Sequence, residues 1–173
     1  MMWNFLTYMK AIAVSLKDIQ HTPSTHRFFR ASNLVELEEL LQGLVTAPSD
    51  RPVMVVIDAY EGTIGDQSTD NYLDVQLYSF YILKKVEISD MGDREGVLAA
   101  CKATARKIIS RMIKDKEYDA TGRIPATGMK NLDTSNIAYM TVGPLADNFH
   151  GIEVMFSITQ EPHITYDSDD WTV

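Results

Sequence analysis

The stretch Tyr72–Lys85 reads YLDVQLYSFYILKK and predicts the strand around which the fold is built. Alternate side chains from Leu73 to Leu83 share one face and are mostly apolar. The opposite face, from Tyr72 to Ile82, is polar at its start and apolar at its end. Because a buried strand face is apolar, we expect a covering layer at one end of this second face only. The cover is either a helix of the same chain or a second subunit.

Further strands are predicted on both sides of this stretch. Val53–Tyr60 is a continuous apolar run, typical of a central strand covered on both faces, and Glu61–Asn71 is predicted to be a polar loop after it. Thr134–Leu145 and Ile152–Gln160 are predicted to form a hairpin, since turn residues separate them and the second one alternates with period two. His26–Ala31 is either a short strand or an extended arm.

Three segments carry apolar residues at helical spacing. Trp3–Gln20 predicts an amphipathic N-terminal helix within residues 1–22, and Asn33–Val45 predicts a second helix. Asp93–Lys116 predicts the longest helix, which should lie against the sheet.

Two local signals refine these helices. Asn33, followed three residues later by Glu36, is typical of a helix start. Leu34 is expected on the buried face of the second helix, together with the later leucines. The buried stripe of the long helix is predicted to contain Val97, Leu98, Cys101, Ala105, Ile108, Ile109, Met112 and Ile113. Cys101 is interpreted as a small buried residue, as free cysteines usually are.

These elements predict an α+β fold. We expect a mostly antiparallel sheet of four to five strands packed against helices, in the order α-α-β-β-α-β-β. The length of 173 residues fits a single domain over residues 1–173. Residues 163–173 form an acidic C-terminal tail that is expected to be mobile.

The composition excludes several classes of function. The net charge of −8 argues against broad nucleic-acid binding and against binding to an anionic membrane surface, since both need a basic surface. No apolar segment is long enough to span a membrane. A single cysteine cannot form an intramolecular disulfide.

No catalytic or ligand-binding motif is present. The glycines of Glu61–Asn71 follow a strand, but no Lys-Ser/Thr pair follows them, so a phosphate-binding loop is not expected. The acidic residues between Asp58 and Asp74 do not have the spacing of a calcium loop. The four histidines are scattered and match no metal or triad motif. We therefore predict no catalytic residues, no metal and no cofactor.

Candidate interaction residues fall into three groups. The basic face of the long helix is either a solvated face or a docking surface for an acidic partner. The acidic residues of the Asp58–Asp74 segment are its candidate mates. Aromatic residues at the termini and on the second face of the long strand are either core or subunit interface. The candidates are Lys102, Arg106, Lys107, Arg111 and Lys114, then Asp58, Asp66, Asp70 and Asp74, then Tyr78, Phe80, Trp3 and Trp171.

The element order and the closing strand, which reads IEVMFSITQEP, resemble the tail-terminator and tail-completion (minor tail or neck) proteins of long-tailed bacteriophages. The resemblance covers residues 30–162. It implies a small α+β subunit that forms a ring capping the tail tube, with no catalytic residues. It implies self-association, contacts with other tail or neck proteins, and a location in the bacterial cytoplasm during assembly and then in the virion.

Three hypotheses follow. The first is a homo-oligomeric ring subunit of a phage or prophage tail, in which the basic helix of one subunit contacts the acidic segment of the next. The second is a monomeric module that recognises a basic peptide or protein through its acidic loops. The third is an enzyme with a site assembled from scattered Asp, Glu and His residues, which predicts a concave polar pocket.

Overall fold

The computed structural model describes residues 4–44, 50–68, 71–86, 91–117, 127–146 and 148–159. Helices and strands alternate along the chain before a final strand pair. In chain order they are α1 (Phe5–Ser15), β1 (Phe28–Ala31), α2 (Leu34–Gly43), β2 (Val53–Ser68), β3 (Asn71–Lys85), α3 (Met91–Lys116), a 3-10 helix (Thr127–Asn131), β4 (Ala138–Leu145) and β5 (Phe149–Thr159).

The strands form one five-stranded sheet in the order β1-β2-β3-β5-β4. β1 runs parallel to β2, and the other three pairs are antiparallel. The predicted α+β class, the mostly antiparallel sheet and the closing hairpin are therefore confirmed. His26–Ala31, predicted to be either a short strand or an extended arm, contains the strand β1. This strand adds an element to the predicted order.

The predicted loop Glu61–Asn71 is wrong. β2 continues through this segment to Ser68, and β3 begins at Asn71, so the two strands form one long hairpin. An irregularity between Ile57 and Glu61 shifts the register, after which pairing resumes at Glu61 with Leu77. Apart from Ile64, the segment has only polar residues and glycines, which is typical of a loop. Its residues 61–64 are exposed in the structure, and an exposed strand does not need apolar alternation.

Helices α1 and α3 cover the first face of the sheet. Phe80, Met9 and Ile108 are almost completely buried between them and the strands. The covered end of β3 is its apolar end, from Tyr78 to Ile82. The predicted one-ended cover is thus confirmed, and helices of the same chain provide it.

Two polar clusters attach α1 and the turn after it to α3. The Tyr8 hydroxyl donates to Oδ2 of buried Asp115 over 2.9 Å, and Arg111 Nε donates to the same carboxylate over 2.7 Å. Burial and the neighbouring Asp115 carboxylate raise the pKa of Tyr8, so the phenol stays protonated and remains a donor. Asp18 accepts from Thr104 and from Lys107 over 3.0 and 2.7 Å. These contacts fix how the two helices lie on the sheet.

Of the described helices, α2 is the one that covers the second face, and it covers only part of it. Its start is the predicted one: Asn33 Oδ1 accepts from the backbone N–H of Glu36 over 2.9 Å. Its buried side chains are Leu37 and Leu41, which pack over Val55 and Leu83 of the sheet. With only ten residues, the helix is too short to reach across the whole sheet.

Glycine at position 151 is required by the close packing of the sheet centre. Gly151 in β5 lies between Leu83 of β3 and Val142 of β4. A Cβ atom at this position would lie 1.9 Å from the carbonyl oxygen of Ile82, far inside contact distance. The pairing of β3 with β5 therefore depends on the absence of a side chain here.

Candidate functional site

The uncovered part of the second sheet face forms an apolar groove. Its wall is the first turn of α2, with Leu34 and Val35, and its floor is the sheet, with Ile57, Leu77 and Met155. The volume of the groove is about 580 Å³. Floor residues come from β2, β3 and β5, so the sheet register alone places them side by side. We call this feature the groove.

Large apolar side chains of the groove are open to solvent. Leu34 is 60% exposed, Val35 is 66% exposed and Leu77 is 47% exposed. The prediction that Leu34 lies on the buried face of α2 is therefore wrong, because the helix covers the sheet with its later turns only. Single exposed leucines are ordinary, but clustered ones at a concave site are typical of a binding surface.

The charged residues among the described lining of the groove are both acidic. Glu153 lies in β5 next to Tyr81 of β3, and Glu61 lies at the far end of the floor. The Tyr81 hydroxyl donates to Glu153 Oε1 over 2.7 Å. Burial and the adjacent carboxylate raise the pKa of Tyr81, so the phenol keeps its proton and the bond persists at alkaline pH. The groove therefore offers an apolar floor beside fixed negative charge.

Replacing Tyr81 with phenylalanine tests the rigidity of this floor. We expect Tyr81→Phe to lower the free energy of unfolding by about 1 kcal/mol, since a bond to a carboxylate is lost while water partly replaces it at Glu153. Urea denaturation followed by circular dichroism measures the change. Tyr139→Phe is the matched control, because that tyrosine is exposed and its hydrogen bond with Arg106 lies at the surface, so its unfolding midpoint should move much less. An unchanged midpoint for Tyr81→Phe would show that the bond does not hold the floor.

Beyond the groove, the β2–β3 hairpin leaves the body of the protein. β1 pairs with β2 only as far as Ile57, and β5 pairs with β3 only from Val75 onwards. The ribbon, defined as residues 61–68 and 71–74, is therefore a two-stranded extension with no further strand partner among the described residues. Ile64 on this ribbon is 66% exposed. Isolated two-stranded ribbons are marginally stable in water, so this one is suited to pairing with another surface.

The structure separates the acidic candidates instead of gathering them in a loop. Asp58 lies in β2 and forms an ion pair with Arg30. Asp74 lies in β3 and accepts from Gln76 Nε2 over 3.2 Å. Asp66 is part of β2, and Asp70 is outside the described residues. The prediction of an acidic loop is wrong for Asp66 and Asp74, since both belong to paired strands.

The basic candidates do lie on one helix, but some are engaged within the chain. Lys107 and Arg111 form ion pairs with Asp18 and Asp115, both over 2.7 Å. Within the described chain, Arg106 and Lys114 form no ion pair with a carboxylate. Lys107, Arg111, Arg106 and Lys114 are all exposed.

One aromatic side chain belongs to the basic surface. Lys102 Nζ lies 5.3 Å from the ring centroid of Tyr139, at the β4 edge of the sheet. A hydrogen bond from Arg106 and the charge of Lys102 lower the pKa of the Tyr139 phenol. The basic side chains Lys102 and Arg106 of α3 therefore reach the β4 edge of the sheet.

The aromatic candidates that the structure describes belong to the core. Tyr78 and Phe80 are buried, and the Tyr78 ring stacks on Phe156 with centroids 5.8 Å apart. For these two residues the core alternative is correct, and they are not available to a second subunit. Trp3 and Trp171, like the acidic tail of residues 163–173, lie outside the described residues.

Within the described residues, no group of three or more His, Cys, Asp or Glu side chains is placed to hold a metal ion. Among the described helices, none is long and apolar enough to cross a membrane.

Sequence reasoning missed the residues that form the groove. Tyr81 and Glu153 are 72 positions apart, and only the pairing of β3 with β5 joins them. The sequence contains one signal of the groove. Val35 is apolar and follows Leu34 in the first turn of α2, where a narrow buried stripe does not require a second apolar residue. Comparisons with models of protein families, with curated proteins and with solved structures found no match to this chain.

Proposed function

We propose that this protein is a structural subunit that assembles with copies of itself. The observation that carries the proposal is the ribbon, which extends past the body with an unpaired edge among the described residues. Backbone N–H and C=O groups along such an edge are a template for pairing with another chain. In a monomeric protein an exposed strand edge of this kind promotes aggregation, whereas in an assembly it pairs with a neighbouring subunit.

The groove supports the same proposal. Glu61 lies in the groove and is also the first residue of the ribbon, so the two features form one continuous surface. That surface combines exposed apolar side chains with unpaired backbone. Subunit interfaces have the same combination of apolar centre and polar surroundings.

The assembly proposed is a homo-oligomeric ring at the end of a phage or prophage tail tube. This follows the likeness to tail-terminator and tail-completion proteins in element order and closing strand. In this role the protein needs no catalytic residue, metal or cofactor. Its partners would be its own copies and other tail or neck proteins, in the bacterial cytoplasm during assembly and then in the virion.

A second candidate function is a monomeric module that binds a basic peptide or protein. The observation that favours it is the acidic character of the charged groove lining, Glu61 and Glu153. A peptide with apolar and basic side chains would match both the floor and its charge.

Size-exclusion chromatography with multi-angle light scattering distinguishes the two functions. We expect a species whose mass is a multiple of 19.5 kDa and whose population grows with protein concentration. A chain that remains a monomer at high concentration, in both low and high salt, would contradict the assembly proposal and favour the binding module.

A further inference from the structure

The groove is the part of the sheet's second face that no helix of the described residues covers. On the first face, α1 and α3 lie side by side and bury the strands between them. On the second face, α2 covers Val55 and Leu83, while Ile57, Leu77 and Met155 stay at least partly exposed. An α+β sheet is normally buried by helices across its apolar face. The part of this face that no described helix covers is therefore suited to a helix of a second copy.

The charge of the groove restricts which helix can enter. Glu153 and Glu61 are its described charged lining residues, and no described cation forms an ion pair with either. An occupant with carboxylates at these positions would be repelled, and one with Lys or Arg would be attracted. Of the described helices, α2 is acidic on its exposed side, with Glu36, Glu38 and Glu39. It is a poor match for the groove of another copy.

The outer face of α3 has the complementary chemistry. Arg106, Ser110 and Ile113 follow one another at helical spacing and are all exposed, and Ile113 is 37% exposed. Lys114 lies beside Ile113 and adds a second cation without a described carboxylate partner. This face presents an apolar side chain between two cations, which matches an apolar floor between two carboxylates.

We propose that the outer face of α3 in one copy docks into the groove of a second copy, with Arg106 and Lys114 facing Glu61 and Glu153. The inference rests on the proposed self-assembly and names the two surfaces that meet. α3 and the groove lie on opposite faces of the same sheet, so each copy uses one surface to receive and the other to insert. A contact of this kind is head-to-tail, and it builds a ring when the rotation closes.

Cysteine crosslinking between two single variants tests this geometry. Val35→Cys lies on the groove wall and Ser110→Cys lies on the outer face of α3, and both positions are exposed, so folding should be unaffected. Native Cys101 is fully buried, and burial raises the pKa of its thiol to about 12, so it should not react in the folded protein. With a short bis-maleimide, we expect the mixture of the two variants to give a crosslinked dimer.

The controls separate the docking inference from the proposed function. Ser24→Cys, an exposed position in the turn before β1, replaces Ser110→Cys in the matched mixture and should give no dimer above background. If the Val35→Cys variant crosslinks mainly to a second copy of the same variant, the contact is a symmetric one between two grooves, and the inference is overturned. An assembly seen by light scattering without any Val35–Ser110 crosslink would overturn the inference and leave the proposed function standing. A chain that is monomeric throughout would overturn both and leave the groove to a different protein.

A charge exchange gives a second readout that does not depend on crosslinking. Arg106→Glu or Glu61→Lys alone should weaken the apparent association constant about ten-fold, and the two together should restore it. Both side chains are exposed, so neither change alters the core. Failure of the double variant to recover association would show that these two side chains do not meet.

Discussion

Replacing Gly151 with alanine is expected to destabilise the fold by at least about 3 kcal/mol, because overpacking against backbone cannot be relieved by a rotamer change. The new Cβ would lie 1.9 Å from the Ile82 carbonyl oxygen and 3.0 Å from the Leu83 Cα atom. Either β3 or β5 has to move, and the ladder from Val75 to Lys85 is then disturbed. Equilibrium denaturation in urea measures the loss.

Gly96→Ala is the matched control for this substitution. Gly96 lies within α3, is exposed, and has nothing within 4 Å of the position of a Cβ atom. Alanine there should raise the free energy of unfolding by about 0.5–1 kcal/mol, since glycine is a poor helix former. If Gly151→Ala behaves like Gly96→Ala, the strands are further apart than described and the argument from close packing fails.

Removing the ribbon is expected to abolish assembly while leaving the subunit folded. Residues 64–74 are replaced by Asn-Gly, which joins Thr63 to Val75 through a two-residue turn that suits an antiparallel pair. The buried residues of both cores lie outside the excised segment. We therefore expect light scattering to give the monomer mass at concentrations at which the full chain associates, with little change in the unfolding midpoint.

Gly65→Ala is the control for ribbon removal. It keeps the ribbon length and its backbone edge, and nothing lies within 4 Å of the new Cβ atom. This variant should associate as the unmodified chain does. Continued assembly after ribbon removal would show that the ribbon is not a subunit contact and would remove the observation on which the proposed function rests.

The sequence predicted those elements whose burial is one-sided. In β5 the side chains from Ile152 to Ile158 alternate, and the apolar ones are buried while Glu153 and Met155 between them are half-exposed. α3 was found because Cys101, Ala105, Ile108 and Met112 recur at helical spacing and are all buried. In β5 and in α3 the apolar residues of the sequence recur with the same spacing as the buried residues of the structure. The sequence pattern alone is therefore enough to predict each element.

The errors arose where tertiary context decides. Ile113 was predicted to be buried, but it lies past the edge of the buried stripe of α3 and is 37% exposed. The ribbon residues whose burial is described, 61–65 and 73–74, are exposed or half-exposed, so no apolar period marks them in the sequence. The groove exists because α2 is shorter than the sheet is wide, a relation between two elements that neither one encodes separately.

The two cores of this protein differ in how firmly they hold their helices. Asp115 and Asp18 tie α1 and α3 to each other, whereas α2 is anchored mainly by Leu37 and Leu41. Elements with few buried side chains open at a lower free energy than the rest of a domain. The groove thus has one stiff side, the sheet, and one compliant side, the start of α2. If a docking surface does not fit the groove closely, a small tilt of α2 can accommodate it. This tilt leaves the packing of α1 and α3 on the opposite face of the sheet unchanged.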